Sequence, residues 1–120
     1  MFKALAISVA TLWPASLAAE TLLLMAEENG CYWCGKWHDE IGPIYPKTAE
    51  GRTAPLRPFD LHRETPNVVF ANSVHFTPTF ILVQDGVEVG RLEGYPGEDF
   101  FWGLLDMMFE RAGIPLDQAS

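Results

Sequence analysis

The sequence predicts an α/β fold in which helices flank a central sheet, and three observations carry that prediction. An unbroken apolar run at Thr21–Ala26 leads at once into residues recurring at helical spacing from Cys31. Two β-rich runs, Thr79–Val83 and Val87–Leu92, are joined by Gln84-Asp85-Gly86, and an Asp-Gly between such runs is a strong hairpin signal. An amphipathic stretch, Glu98–Ala112, then ends at Gly113.

The first element reads as an export signal rather than part of the fold. Lys3 precedes the apolar stretch Ala4–Leu12, then come Trp13-Pro14 and small residues at Ser16, Ala18 and Ala19 ahead of Glu20. Cleavage is expected after Ala18 or Ala19, so residues 1–19 are a signal peptide. The stretch is short for a bilayer span and is interrupted by Pro14 and Glu20, which argues against an uncleaved anchor or membrane insertion after cleavage. The folded domain is then 20–113, followed by a loose tail at 114–120, and its length suits one domain. The 120-residue chain has 16 acidic against 8 basic residues and a net charge of −8. So acidic a surface repels nucleic acid and anionic membranes.

Thr21–Ala26 suits a strand buried on both faces. Trp33, Trp37, Ile41 and Ile44 then mark the first helix, with Cys31 in its N-terminal turn and Gly42-Pro43 kinking or ending it. Thr48–Thr53 is polar and glycine-bearing and reads as a loop. Ala54–Leu61 is a second strand, with Pro55 and Pro58 counting against it. Within Glu64–Val74 a short helix is expected to start at Thr65-Pro66. In the last helix Glu98 and Asp99 open the N-terminus and Arg111 lies near the end, as the dipole favours. Its buried stripe is Phe101, Leu104, Leu105, Met108 and Ala112.

The two cysteines, Cys31 and Cys34, are the only ones in the chain. A disulfide enclosing only Tyr32 and Trp33 constrains the unfolded chain little, so a redox role explains the pair better than a structural one. Rival readings are weaker. Cys31, Cys34 and His38 supply three zinc ligands where closed sites want four, and covalent haem would need His where Gly35 stands. Copper or other soft-metal transfer through the two thiolates is the main alternative, and an exported binding module with an inert disulfide is a third.

A Cys-x-x-Cys at the first strand-to-helix junction, with Thr77-Pro78 just before the hairpin, resembles the thioredoxin superfamily, whose fold is a central mixed sheet flanked by helices. CYWCGKWHDEIGPIYPKTAEG, APLRPFDL and HFTPTFILVQDGVEVGRLEGYPG further resemble the periplasmic SoxS-type thioredoxins of bacterial sulfur-oxidation gene clusters. The resemblance implies a periplasmic thiol-disulfide oxidoreductase that needs no cofactor. Its implied partners are protein disulfide substrates, among them a sulfur-carrier protein, with a membrane thiol transporter as electron donor. It also implies a cis bond at Thr77-Pro78 packed against the disulfide. A substrate chain would pair there with the backbone of Thr77.

Cys31 is the expected nucleophile, since a helix N-terminus favours thiolate, and Cys34 the resolving thiol. Tyr32 and Trp33, with Phe76 and Tyr95, are expected to offer an apolar platform for substrate, while Trp33 has packing against Trp37 as its alternative. Thioredoxins commonly carry an acid six residues before the first cysteine, and here that position is Met25. Glu27 and Glu28 are read as loop residues. His38, one turn beyond Cys34, is a candidate proton acceptor; His62 and His75 have no evident partner.

Overall fold

A computed structural model describes residues 3–11 and 20–118. The expected cleavage position, after Ala18 or Ala19, lies outside the described residues. Residues 3–11 carry no regular secondary structure, and no described helix is long and apolar enough to cross a membrane.

The chain forms β1 (Thr21–Glu27), α1 (Tyr32–Glu40), a 3-10 turn (Tyr45–Lys47), α2 (Ala49–Thr53), β2 (Leu56–Asp60), β3 (Thr79–Gln84), β4 (Val87–Glu93) and α3 (Glu98–Ala112). The strands make one mixed sheet in the order β2-β1-β3-β4. β1 runs parallel to β2 and antiparallel to β3, and β3 pairs antiparallel with β4. Between β3 and β4, Asp85 and Gly86 both have positive φ, 51° and 80°, as a two-residue hairpin turn requires.

Central position explains the apolar run of β1, whose residues Leu23–Ala26 are fully buried. Alternation divides them between two clusters. Leu23 and Met25 face α1 and α3 and meet Trp37, Phe80, Phe101 and Leu105. Leu24 and Ala26 face the opposite side with Phe59, Ile81 and Val83.

The middle third departs from expectation in two places. Thr48–Thr53 is not a plain loop. Thr48 caps α2 by accepting the Gly51 N–H at 3.0 Å. Gly51 is required by close packing, because a Cβ there would sit 1.9 Å from the Tyr45 carbonyl oxygen. The glycine that looked like a loop signal therefore belongs to a helix.

Conversely, the helix expected within Glu64–Val74 does not form. Residues 61–78 run as turns and extended chain over the opposite face, where Val68, Phe70 and Val74 pack on the second cluster. Their backbone groups are engaged elsewhere. Val69 bridges to β4, donating to the Gly86 carbonyl at 2.8 Å and accepting from Glu88 N–H at 3.0 Å. Arg91 donates to the carbonyls of Asn72 and Ser73 at 2.7 and 2.9 Å. Register also removes the need for a crossover helix. β2 ends and β3 begins at the same end of the sheet, since Glu27 aligns with Asp60 and Ala26 with Thr79.

Helix faces differ in detail. On α1 the buried residues are Cys34 and Trp37, followed by Ile41, whereas Trp33 and Ile44 are exposed. On α3 they are Phe101, Leu105, Met108 and Phe109, with Leu104 and Ala112 only half-buried. The stretch after Gly113 is not loose where it begins: Ile114 is buried in the first cluster, Leu116 packs against it, and the Asp117 N–H donates to Thr53 Oγ1 at 2.7 Å.

Candidate active site

Both cysteines sit where β1 hands the chain to α1. Cys31 is the N-cap, with extended backbone (φ −74°, ψ 101°), and its sulfur accepts the Cys34 N–H at 3.2 Å. One of the orphan N–H groups of the helix start is thus aimed at Sγ of Cys31. The two residues are joined by a disulfide, with Cα atoms 5.3 Å apart. Cys31 is half-buried, while Cys34 is 5% exposed and belongs to the core beneath the helices.

Tyr32 and Trp33, 68% and 51% exposed, stand between the sulfurs with their rings edge-to-face, centroids 5.0 Å apart. Trp33 therefore does not pack against Trp37. Phe76 is exposed as expected. Tyr95 is not part of this platform: it is buried among core residues, and its hydroxyl donates to Glu40 at 3.1 Å. Burial, then the carboxylate of Glu40, holds that hydroxyl's pKa well above the usual tyrosine range.

Thr77-Pro78, which is cis, directly precedes β3. Because Thr79 aligns with Ala26, it lies at the same sheet end as the cysteines. A direct tether strengthens this proximity, since Thr77 Oγ1 donates to Glu28 Oε1 at 2.6 Å. The other oxygen of Glu28 meets His62 Nε2 at 2.7 Å. One carboxylate thus ties the β1–α1 loop to both ends of the β2–β3 connection, at His62 and at Thr77. The bonds from Thr77 and then His62 hold it below the usual carboxylate range.

Neither glutamate is idle, and Glu27 is a strand residue rather than the loop residue expected. Glu27 is the last residue of β1, on the pleat face shared by Leu23 and Met25, and its Oε1 is hydrogen bonded to Nε2 of His38 on α1. Extending the strand's alternation by one step would have found it. The tertiary pairing of Glu28 with His62, 34 residues away, left no such signal. Glu27, Glu28, Cys31, Cys34 and His38 line one open groove of about 840 Å³. Among the described residues no cluster of three or more His, Cys, Asp or Glu is arranged to hold a metal.

A dithiol that can close to a disulfide at a helix N-terminus, carried on this sheet, defines a thiol-disulfide oxidoreductase of the thioredoxin class. No protein-family model matches the chain, and no curated protein matches it. Among solved structures, the reduced form of the periplasmic thioredoxin SoxS from Paracoccus pantotrophus is 49% identical, with a TM-score of 0.75. The match covers 78% of this chain and 99% of that one. The chain belongs to the thioredoxin family and is SoxS-like within it.

Proposed function

We propose that this chain is an exported periplasmic reductase, acting on disulfides or mixed disulfides of sulfur-oxidation proteins by cycling Cys31 and Cys34 between dithiol and disulfide. The observation that carries the reading is the asymmetry of the pair. Cys31 is half-buried with its sulfur at the helix N-terminus, whereas Cys34 is buried one turn in. Cys31 is the sulfur a partner can reach, so it attacks the substrate disulfide. Cys34 then attacks Cys31 Sγ, releasing reduced substrate and leaving the pair oxidised.

Exposed Tyr32 and Trp33 give the partner apolar surface, and the backbone of Thr77 pairs with its extended chain beside Cys31. A sulfur-carrier protein fits as substrate and a membrane thiol transporter as electron donor, both from the SoxS resemblance. Residues 1–19 serve as the export signal, leaving the domain 20–113 and the tail 114–120; mass spectrometry finding Met1 in the exported product would refute that. The central test is trapping from periplasmic extract. Cys34→Ser is expected to retain partners as reducible covalent adducts and Cys31→Ser is not; equal trapping by both would overturn the assigned roles.

A further inference from the structure

Resolution requires Cys34 to lose a proton, yet Cys34 is 5% exposed and Met25 occupies the strand position where the family resemblance leads one to look for an acid. The Met25 side chain is a thioether with no basic atom, so that position offers no acceptor. The next side chain on the same face of β1 is Glu27, two residues further toward the cysteines. It reaches across to His38, and His38 lies one turn after Cys34, on the same side of α1. All three residues line the same groove, which gives the buried thiol an open exit for its proton.

We propose that Glu27 and His38 together take the proton of Cys34 in the resolving step, an inference that rests on the dithiol cycle proposed above. His38 is the acceptor and Glu27 a positioning residue. With Nε2 engaged by the Glu27 carboxylate, Nδ1 is the ring nitrogen able to receive a proton, and the carboxylate stabilises the imidazolium that results. Transfer is direct or passes over one water in the groove. The step balances as follows. The Cys34 proton goes to His38, the thiolate attacks Cys31 Sγ, the Cys31–substrate S–S bond breaks and the Cys31–Cys34 bond forms. Two electrons leave the cysteine pair with the substrate, whose thiolate is then protonated from His38 or solvent.

The remaining ionisable groups of the groove have other settings. Glu28 is committed to Thr77 and His62, and Asp60 accepts the His62 N–H at 2.8 Å and faces Arg63 at 4.0 Å. Lys36 and Asp39 line the groove from α1, and Asp39 is exposed to solvent. Glu27 and His38, with side chains 27% and 41% exposed, engage each other, whereas the comparably sheltered Asp60, 25% exposed, is taken up by the His62 backbone N–H and Arg63.

The test separates the two thiols in time. The reduced full-length mature protein is mixed with a small aromatic disulfide whose released thiolate is coloured. A first release reports attack by Cys31, and a second reports resolution by Cys34. In Glu27→Gln and His38→Gln the second phase is expected to slow roughly tenfold near neutral pH. The deficit should shrink steadily as pH rises, because hydroxide increasingly replaces His38 as proton acceptor. The first phase should slow less than the second, since Cys31 Sγ keeps the Cys34 N–H as its partner in both variants. The double variant should be no slower than the slower single one, as residues acting as a unit behave. An unchanged second-phase pH profile in Glu27→Gln, additive losses, or equal slowing of both phases would overturn the proposal. A second phase that survives Cys34→Ser would instead sink the dithiol cycle itself, and this inference with it.

Discussion

Reducing the Cys31–Cys34 bond should cost the fold little, and the size of that cost follows from the ring it closes. The cysteines are three residues apart, so the chain-entropy relation for a four-residue loop gives about 2 kcal/mol of stabilisation. A bond closing a hundred-residue loop would be worth about 4.7 kcal/mol by the same relation. Two features of the folded state oppose even the smaller value. Cys34 packs against core residues that do not depend on the bond, and Cys31 Sγ, which accepts the Cys34 N–H here, would as thiolate hold it as a charge-assisted partner. The oxidised protein should therefore be more stable than the reduced by between 0 and about 2 kcal/mol. Urea unfolding of both forms, followed by tryptophan fluorescence and circular dichroism, measures the difference directly. By the closed cycle, it equals the difference in disulfide formation between folded and unfolded chain, and about 2 kcal/mol corresponds to roughly 40 mV. An oxidised form more stable by over about 4 kcal/mol would refute the reasoning and return the bond to a structural role.

Three further outcomes are expected. Asp106, at the surface of α3, has its carboxyl pushed up from 3.8 to about 6, first by partial desolvation and then by the charge and hydrogen bond of Glu50. The folded state therefore holds this proton more tightly than the unfolded one, so its contribution is full below about pH 4 and is lost as pH rises through about 6. Asp106→Asn should flatten that slope in melting temperature against pH, and superimposable curves would refute it. Glu28 is shifted the other way, so its contribution is present above 4.5 and is lost as pH falls below that value. Glu28→Gln should weaken that acid sensitivity and raise KM for a protein disulfide while sparing a small aromatic one; equal effects on both substrates would count against its loop-tying role. Phe101 is fully buried, with ring centroids 5.7 Å from Trp37 and 5.1 Å from Phe80, and Phe101→Ala should cost about 3–5 kcal/mol in urea unfolding. A loss below about 1.5 kcal/mol would mean that the cluster closes over the cavity.

Where local chemistry decides structure, the sequence was legible. The apolar run of β1, the Asp85-Gly86 turn and the acidic start of α3 each depend on neighbours within a few residues. The same holds for the cysteine pair, since helical spacing alone brings its two residues together. The missed elements depend on distant partners. No pattern in Glu64–Val74 says that Arg91 and the start of β4 will take up its backbone groups, and none near Gly51 announces the Tyr45 carbonyl against it.

The consecutive glutamates show how strand geometry can organise a site from adjacent residues. As the last residue of β1, Glu27 keeps the pleat face of Leu23 and Met25, and so meets α1 at His38, on the side of the buried sulfur. Glu28 has left the strand and turns the other way, to Thr77 and His62. Adjacent carboxylates thereby serve different parts of the groove: one faces the helix that carries Cys34, the other holds the segment that leads into β3. The double variant Glu27→Gln with Glu28→Gln should consequently show two separable defects, slowed resolution with a small disulfide and raised KM with a protein one. A single shared defect would mean that the two carboxylates act only through their summed charge.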